Sequence, residues 1–335
     1  MRNIRLGFLG SAFAAAMASL LPGAAARAAD KVQVQLDWVV RGDHAMFFVA
    51  RDKGYFSQSG IDVSDIHKGS GSPDTMRLVG NGNAEFGFGD LPTLAVARAQ
   101  GVPVVALVAV NQHSPLGFVT LAGNKTLKSP ADLKGMNIGI HPAGSTYIFY
   151  KAFLAANGMK ESDLKMSTVS PPYESYLLLK RVDLIVGYID AEVPELEAKA
   201  GGPGSLSILL GADHGYKVYG SGLLTSEKLI KENPDLVKRF TTAYMKAFDY
   251  TAAHPEEAAE IAAKGTPGYA DKKDVLLAEL KADIASTFQS DDTKAHGLGW
   301  MTKEGWQNTI DILSSQGALP APVAPETAFS DKFLK

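Results

Sequence analysis

The sequence predicts an α/β fold of two lobes, built from mostly parallel sheets flanked by helices and joined by two hinge crossings. Three observations lead there. Apolar strand-length runs alternate with helix-length runs from residue 32 to 110 and again from 118 to 210, a pattern that gives parallel sheets covered by helices. Two polar, glycine-containing stretches, 111–117 and 213–222, separate the sets and bring the chain back. Beyond the second stretch the periodicity is mainly helical, with Leu236, Val237, Phe240, Tyr244, Ala247 and Phe248 on one 3.6-residue face. On this pattern lobe 1 takes residues 29–113 and 219–335, and lobe 2 takes 114–218.

In the first set, Val32, Val34 and Leu36 alternate with Gln33, Gln35 and Asp37, which reads as a strand with one buried and one wet face. A helix over 43–53 stops at Gly54. A strand at 61–66 leads to Gly69-Ser70-Gly71-Ser72-Pro73-Asp74, a helix start with Pro73 in its first turn. A strand at 84–89, a helix at 92–100 and a buried strand at 102–110 complete the set. The second set has strands at 118–121, 136–140, 165–169, 182–187 and 206–210. Its helices begin at Ser129 and at Gly144-Ser145-Thr146, the latter ending near Asn157, and run over 173–180 and 192–199. A last strand at 221–226 precedes helices from Asn233-Pro234, over 255–264, 273–288 and 302–316, and a tail at 320–325 without regular structure.

Composition narrows the function. With 335 residues, 46% hydrophobic and 21% charged, the chain reads as an ordinary soluble globular protein. Arg2 and Arg5 precede an Ala-rich apolar run over 6–21, and Ala26-Arg27-Ala28 has the small-x-small form of a cleavage site, so residues 1–28 are expected to be a signal peptide. No later stretch approaches about 18 unbroken apolar residues. The absence of cysteine argues against disulfides, thiol catalysis, cysteine-ligated metal and a lipid anchor, so a freely diffusing periplasmic monomer is expected. Without Arg2, Arg5 and Arg27, 30 basic residues face 36 acidic ones and no basic block remains, which argues against nucleic-acid binding. His-Glu-x-x-His, Gly-x-Ser-x-Gly, P-loop and dinucleotide motifs are all missing, and no catalytic residue, metal or cofactor is assigned.

Ligands in open α/β sheets gather where strands end. Asp37 and Trp38 stand at such an end, with His44 just inside the next helix. Trp38 suits stacking on a flat ring, while Asp37 and His44 can read ring nitrogens and exocyclic amines. A turn role for Asp37 is the competing reading. Ser72, Ser145 and Thr146 mark helix starts whose free N–H groups suit a ligand oxygen, or whose serines simply cap. Asp90 ends a strand and can equally cap the helix after it. Tyr188, Asp190 and Glu192 follow the 182–187 strand, with Asp190 placed to cap and Glu192 in a first turn.

Several runs together resemble the NMT1/THI5-like class of periplasmic substrate-binding proteins, relatives of the alkanesulfonate and taurine binders. They are Leu36-Asp37-Trp38 with Asp43-His44, Val49-Ala50-x-x-Lys53-Gly54-Tyr55-Phe56, Gly60-Ile61-Asp62-Val63, Leu78-Val79-Gly80-Asn81-Gly82-Asn83-Ala84-Glu85-Phe86-Gly87, Gly101-Val102-Pro103, Ser129-Pro130-Ala131-Asp132-Leu133-Lys134-Gly135, His254-Pro255-Glu256-Glu257-Ala258 and Trp306. The resemblance spans essentially the whole chain after the signal segment. It implies a type II periplasmic binding protein, a small-molecule ligand and an inner-membrane ABC permease as partner. Leu-Asp-Trp followed by Asp-His is most similar to the thiamine pyrimidine-precursor branch. That branch implies a flat heterocycle stacked by Trp38 and Tyr188 and hydrogen-bonded by Asp37, His44 and Glu192. Here Val40-Arg41-Gly42 replaces the Asn-Pro or Asn-Thr turn typical of the branch. The alternative is therefore an anion, whether alkanesulfonate, taurine, nitrate or aromatic carboxylate, held by the helix starts with Arg41, Lys68 or Arg77. A basic side chain in the cleft is the discriminator. The eukaryotic pyrimidine synthase of the superfamily carries a cysteine-rich iron motif that this chain lacks, and a metal-dependent hydrolase would need Asp37, His44 and a third ligand to converge.

Overall fold

The computed structural model describes residues 28–142, 144–170 and 173–334, so the expected signal segment lies, but for Ala28, outside the described residues. The strands are β1 (Asp30–Gln35), β2 (Ile61–His67), β3 (Phe86–Asp90), β4 (Val104–Ala109), β5 (Leu116–Leu121), β6 (Asn137–Ile140), β7 (Lys165–Thr168), β8 (Leu184–Tyr188), β9 (Leu206–Leu210) and β10 (Ser221–Ser226). They form two five-stranded sheets, ordered β2-β1-β3-β10-β4 in lobe 1 and β7-β6-β8-β5-β9 in lobe 2.

The helices of lobe 1 before the first crossing are α1 (Ala45–Asp52), α2 (Tyr55–Gln58), α3 (Ser72–Gly80) and α4 (Leu91–Ala99). Lobe 2 carries α5 (Ser145–Ala156), α6 (Glu174–Leu178) and α7 (Ile189–Ala200). After the return come α8 (Glu227–Glu232), α9 (Pro234–Ala253), α10 (Pro255–Gly265), α11 (Lys273–Ser286), α12 (Asp291–His296), α13 (Lys303–Ser315) and α14 (Pro325–Ala328).

Each sheet has one strand running against the other four. β10 is antiparallel to β3 and β4, and β5 is antiparallel to β8 and β9, while β1 with β2 and β3, and β6 with β7 and β8, are parallel. The reversed strands are the ones that enter from the other lobe. A chain leaving lobe 1 at the C-terminal end of β4 reaches lobe 2 at the same edge, so β5 must run away from it, and β10 does the same on return. The two crossings are tied side by side: Ser114 N–H donates to Val218 C=O at 2.9 Å and Gly220 N–H to Asn111 C=O at 2.8 Å. The remaining strands therefore point their C-terminal ends toward the seam between the lobes.

Both faces of each sheet are covered. In lobe 1, Val32, Val34 and Leu36 join a core with α1, α9, α10 and α11, while Leu94, Leu224 and Trp306 lie in a second core on the other side. In lobe 2, Phe118 packs with Phe149 and Phe153 on one face, and Val119 with Leu177 and Leu196 on the other. The wet face expected for β1 is accordingly dry at its end. Gln35 is buried and donates to Leu36 C=O at 2.9 Å, and Thr75 of α3 also donates to Leu36 C=O, at 3.0 Å.

Three local expectations change. The helix start at Ser129 is a single 3-10 turn, Pro130–Leu133, because Gly135 at φ +80° turns the chain into β6. Helix α7 begins at Ile189, directly after β8 and three residues earlier than expected. The tail ends at Pro325, which starts α14, and Phe329 stacks on Trp306 at 5.9 Å.

Phe240 carries much of the lobe 1 core. It is fully buried, with Phe86 of β3 at 3.7 Å and Phe56 of α2 at 4.7 Å between ring centroids. Phe240→Ala leaves a cavity between sheet and helix and should cost about 3–5 kcal/mol, read as a lowered midpoint in urea unfolding with the m-value unchanged.

Candidate cleft between the lobes

Where the strand ends of the two sheets meet, a cavity of about 200 Å³ opens. Lobe 1 lines it with Asp37, Trp38, Arg41 and the 70–74 segment, and lobe 2 with Ser145, Thr146, Tyr173, Tyr188, Glu192 and His141. A smaller cavity of about 80 Å³ lies beyond the shared side chains Trp38, Arg41 and Glu192, reaching Glu195, Lys272 and Glu279.

Backbone geometry fixes the Asp37 corner. Gly71 N–H donates to Asp37 C=O at 2.7 Å and Gly69 N–H to Trp38 C=O at 3.0 Å. A Cβ on Gly69 would lie 2.2 Å from Leu36 O, so only glycine permits this approach. Asp37 is 3% exposed and its carboxylate receives three partners: Arg41 at 3.4 Å to both oxygens, Ser72 Oγ at 3.1 Å and His44 Nε2 at 3.1 Å. His44 Nδ1 accepts Arg41 N–H at 3.1 Å, which assigns the ring hydrogen to Nε2 and makes His44 the donor to Asp37. Burial alone would raise the Asp37 carboxyl, but the Arg41 charge and the His44 and Ser72 hydrogen bonds outweigh it and hold it below its ordinary value.

Arg41 occupies the centre. It is 6% exposed, with Nε 3.5 Å from Asp43 as well as its contact to Asp37, and its guanidinium lies 4.9 Å from the Tyr188 ring centroid across the seam. Burial works against its charge, and Asp43 and Asp37 overcome that and keep it ionised. Tyr188, at the end of β8, has its hydroxyl 2.8 Å from Ser145 Oγ. Glu192 has a buried Oε2 with no hydrogen-bond partner, and burial pushes its carboxyl well above the ordinary glutamate value.

Trp38, from lobe 1, and Tyr173, from lobe 2, lie with ring centroids 6.3 Å apart and planes 15° apart. Both line the cavity. Sequence reading placed Tyr173 only at the start of a helix. Its signal was position, shortly after the end of β7 and the Pro171-Pro172 pair of the sequence, the same strand-end logic that singled out Trp38.

The structure brings seven of the nine expected residues to the cavity: Asp37, Trp38, Ser72, Ser145, Thr146, Tyr188 and Glu192. Two lie elsewhere. His44 is fully buried, with both ring nitrogens spent on Arg41 and Asp37, so it braces the corner rather than facing a ligand. Asp90 is 1% exposed and caps α4 through Thr93 N–H at 2.8 Å and Thr93 Oγ1 at 2.5 Å, while burial raises its carboxyl to about 7. Neither Ser72 nor Ser145 makes a side-chain cap. Ser72 instead links Asp37 to Asp90 N–H, which it accepts at 3.1 Å. Of the basic residues considered for an anion, Arg41 lines the cavity, whereas Lys68 and Arg77 do not. Among the described residues, no group of three or more His, Cys, Asp or Glu is arranged to hold a metal, and no helix is long and apolar enough to cross a membrane.

A family profile described as NMT1/THI5 like matches residues 41–258. The riboflavin-binding protein RibY of Chloroflexus aurantiacus is 26% identical over 312 residues, covering 91% of this chain and 86% of its own. The formylaminopyrimidine-binding protein of Halalkalibacterium halodurans is 26% identical over 306 residues, covering 90% of each. A Saccharomyces cerevisiae protein named 4-amino-5-hydroxymethyl-2-methylpyrimidine phosphate synthase THI5 is 28% identical over 238 residues, 68% of this chain and 69% of its own. Among solved structures, the periplasmic aliphatic sulphonate binding protein SsuA of Escherichia coli superposes with a TM-score of 0.64 at 16% identity, over 89% of this chain and 91% of its own, which shows the periplasmic binding protein fold.

The Asp37–Arg41 pair can be tested directly. Arg41→Met leaves Asp37 and Asp43 buried without their counter-charge and should lower stability by about 3–5 kcal/mol. Asp37→Asn in the same chain should return part of that loss, measured as the coupling in a double-mutant cycle.

Proposed function

We propose that this chain, which belongs to the NMT1/THI5-like family, is the solute-binding component of an ABC uptake system and captures a small flat heterocycle by closure of its two lobes. The observation that carries this reading is the ring pair Trp38–Tyr173, one from each lobe, at 6.3 Å and nearly parallel. Two aromatic contacts of ~3.5 Å each would need ~7 Å, so a small outward shift turns the pair into a slot for one planar ring. A separate lobe for each ring means that closing the cleft completes the slot. Tyr188 and Ser145 hydroxyls and the Glu192 carboxyl surround it, a set that suits the ring nitrogens and amine of an aminopyrimidine.

Size favours one ring over three. The cavity of about 200 Å³ falls below the several hundred Å³, roughly 300–1,000, usual for drug-sized ligands. Charge disfavours a free anion. Arg41 faces Asp37 and Asp43 before it faces any ligand, and Glu192 adds another carboxyl to the wall. Arg41 nonetheless lines the cavity, which supports a sulfonate or carboxylate as the second reading. No catalysis is part of the proposal: the carboxylates and hydroxyls here serve recognition, and lobe closure, favoured by the ligand's greater affinity for the closed form, signals to the permease. Export to a periplasm and action as a monomer complete the reading.

A thermal-shift screen of aminopyrimidines, riboflavin, alkanesulfonates, nitrate and aromatic carboxylates tests it, since a ligand that binds only the folded state raises the midpoint. An aminopyrimidine is expected to shift it, and Trp38→Ala or Tyr173→Ala should each weaken binding about tenfold or more through the lost stacking of ~1.5 kcal/mol. A shift with sulfonate or nitrate and none with any heterocycle would overturn the choice of ligand.

A further inference from the structure

The turn Val40-Arg41-Gly42, which sets this chain apart from the branch it resembles, is pinned to lobe 1. Gly42 N–H donates to Glu279 Oε2 of α11 at 2.8 Å. A Cβ on Gly42 would lie 2.6 Å from Leu280 N, so glycine is what lets the helix come against the turn. Arg41 is therefore held from one lobe alone, by this packing and by Asp37 and Asp43. Its Nη2 donates to Asp37 at 3.4 Å, and its Nε lies 3.5 Å from Asp43. The N–H groups of a guanidinium point outward in its own plane. Asp37 accordingly draws on the edge, and the flat face is left for another partner.

Tyr188 supplies that partner from lobe 2. Arg41 Cζ lies over its ring, 4.9 Å from the centroid, and the Tyr188 hydroxyl is 2.8 Å from Ser145 Oγ of α5. A run of contacts thus crosses the seam: Ser72 of α3 to Asp37 at 3.1 Å, Asp37 to Arg41, Arg41 to the Tyr188 ring, and Tyr188 to Ser145. The middle pair is matched in chemistry. A guanidinium face is weakly hydrated, and the electron-rich face of a ring attracts positive charge. Arg41 and Tyr188 are both buried, which keeps water from the contact. One face of the Tyr188 ring is taken by Arg41, so this residue has a duty besides stacking on a solute.

We propose that the Arg41–Tyr188 contact is a latch that needs no solute: it draws the lobes together in the empty protein, and opening breaks it because Arg41 stays with lobe 1 and Tyr188 with lobe 2. The proposal rests on the lobe closure in the proposed function and adds to it a closed state that the empty protein populates. A desolvated cation–π contact shifts the closed-to-open balance by about tenfold. A solute that prefers the closed form then meets more of it, and its apparent affinity rises with the closed fraction.

The chain has no cysteine, so two spin labels can be placed cleanly. Lys68→Cys, after β2, and Thr168→Cys, at the end of β7, are at exposed positions, one on each lobe. Label distances in the empty protein report the closed fraction. Tyr188→Leu removes the ring and should lower the closed-to-open ratio about tenfold, whereas Tyr188→Phe keeps the ring face and should leave the distances unchanged. Phenylalanines carrying one, two or three ring fluorines at this position nearly keep the shape and withdraw charge from the ring face, so the closed fraction should fall step by step. A ring that only fills space would give no such series. Thermal unfolding confirms that each variant is folded. Distances unmoved across the fluorinated series, or a Tyr188→Leu protein as closed as its parent, overturn the latch. Adding an aminopyrimidine separates the two readings. If it closes the lobes while the ring substitutions leave the empty protein unmoved, the latch fails and the solute assignment stands. If the ring substitutions open the empty protein and no heterocycle closes it, the latch stands and the solute assignment fails.

Discussion

The cleft depends on one buried ion pair. Asp37 and Arg41 are four residues apart, and between them they hold three separate pieces of chain: the end of β1, the 3-10 turn Gly42–His44 and the start of α3 through Ser72. Burying two charges costs several kcal/mol per ion unless hydrogen bonds and counter-charges replace water. Here His44, Ser72 and Asp43 replace it, and the requirement that all of them converge is what makes the turn rigid. Trp38 lies between β1 and that turn, with its backbone C=O held by Gly69 N–H. In the proposed reading, recognition by an aromatic face is therefore secured by electrostatics one residue away.

Topology sets where this corner can be useful. Because each crossing leaves and arrives at the same sheet edge, the strand ends of both lobes converge on the seam, and β5 and β10 run the other way. The cleft is thus a consequence of chain path rather than of local sequence. Asn111, in one crossing, touches both the return crossing and Asp283 of α11, so the hinge is tied to that helix.

Much of this was legible in the sequence, and the parts that were not share a cause. Strand–helix alternation located both sheets, since periodicity reports local burial. Asp37, Trp38, Tyr188 and Glu192, which line the cavity, could be singled out because strand ends and first helical turns can be read from spacing. His44 was misplaced because its neighbours along the chain do not reveal that Arg41 N–H and Asp37 take both ring nitrogens. Asp90 could be read as cap or ligand, and the bonds to Thr93 decide for the cap. Tyr173 and Arg41 were undervalued for the opposite reason: their importance comes from partners in the other lobe, Trp38 and Tyr188, far off in sequence. Contacts across the seam, such as Trp38 with Tyr173, leave no periodic trace at all.

The charge arrangement also fixes how proton binding and solute binding act on each other. Arg41 uses its charge on Asp37 and Asp43, so the wall group left to meet a basic ligand is Glu192, whose buried Oε2 has no partner. Burial holds that carboxyl toward its neutral form. In the proposed reading, an amine or protonated ring nitrogen would supply both donor and charge, and Glu192 would ionise as the ligand settles. An ionising Glu192 gives up its proton, so affinity for a ligand that is already a cation would rise with pH.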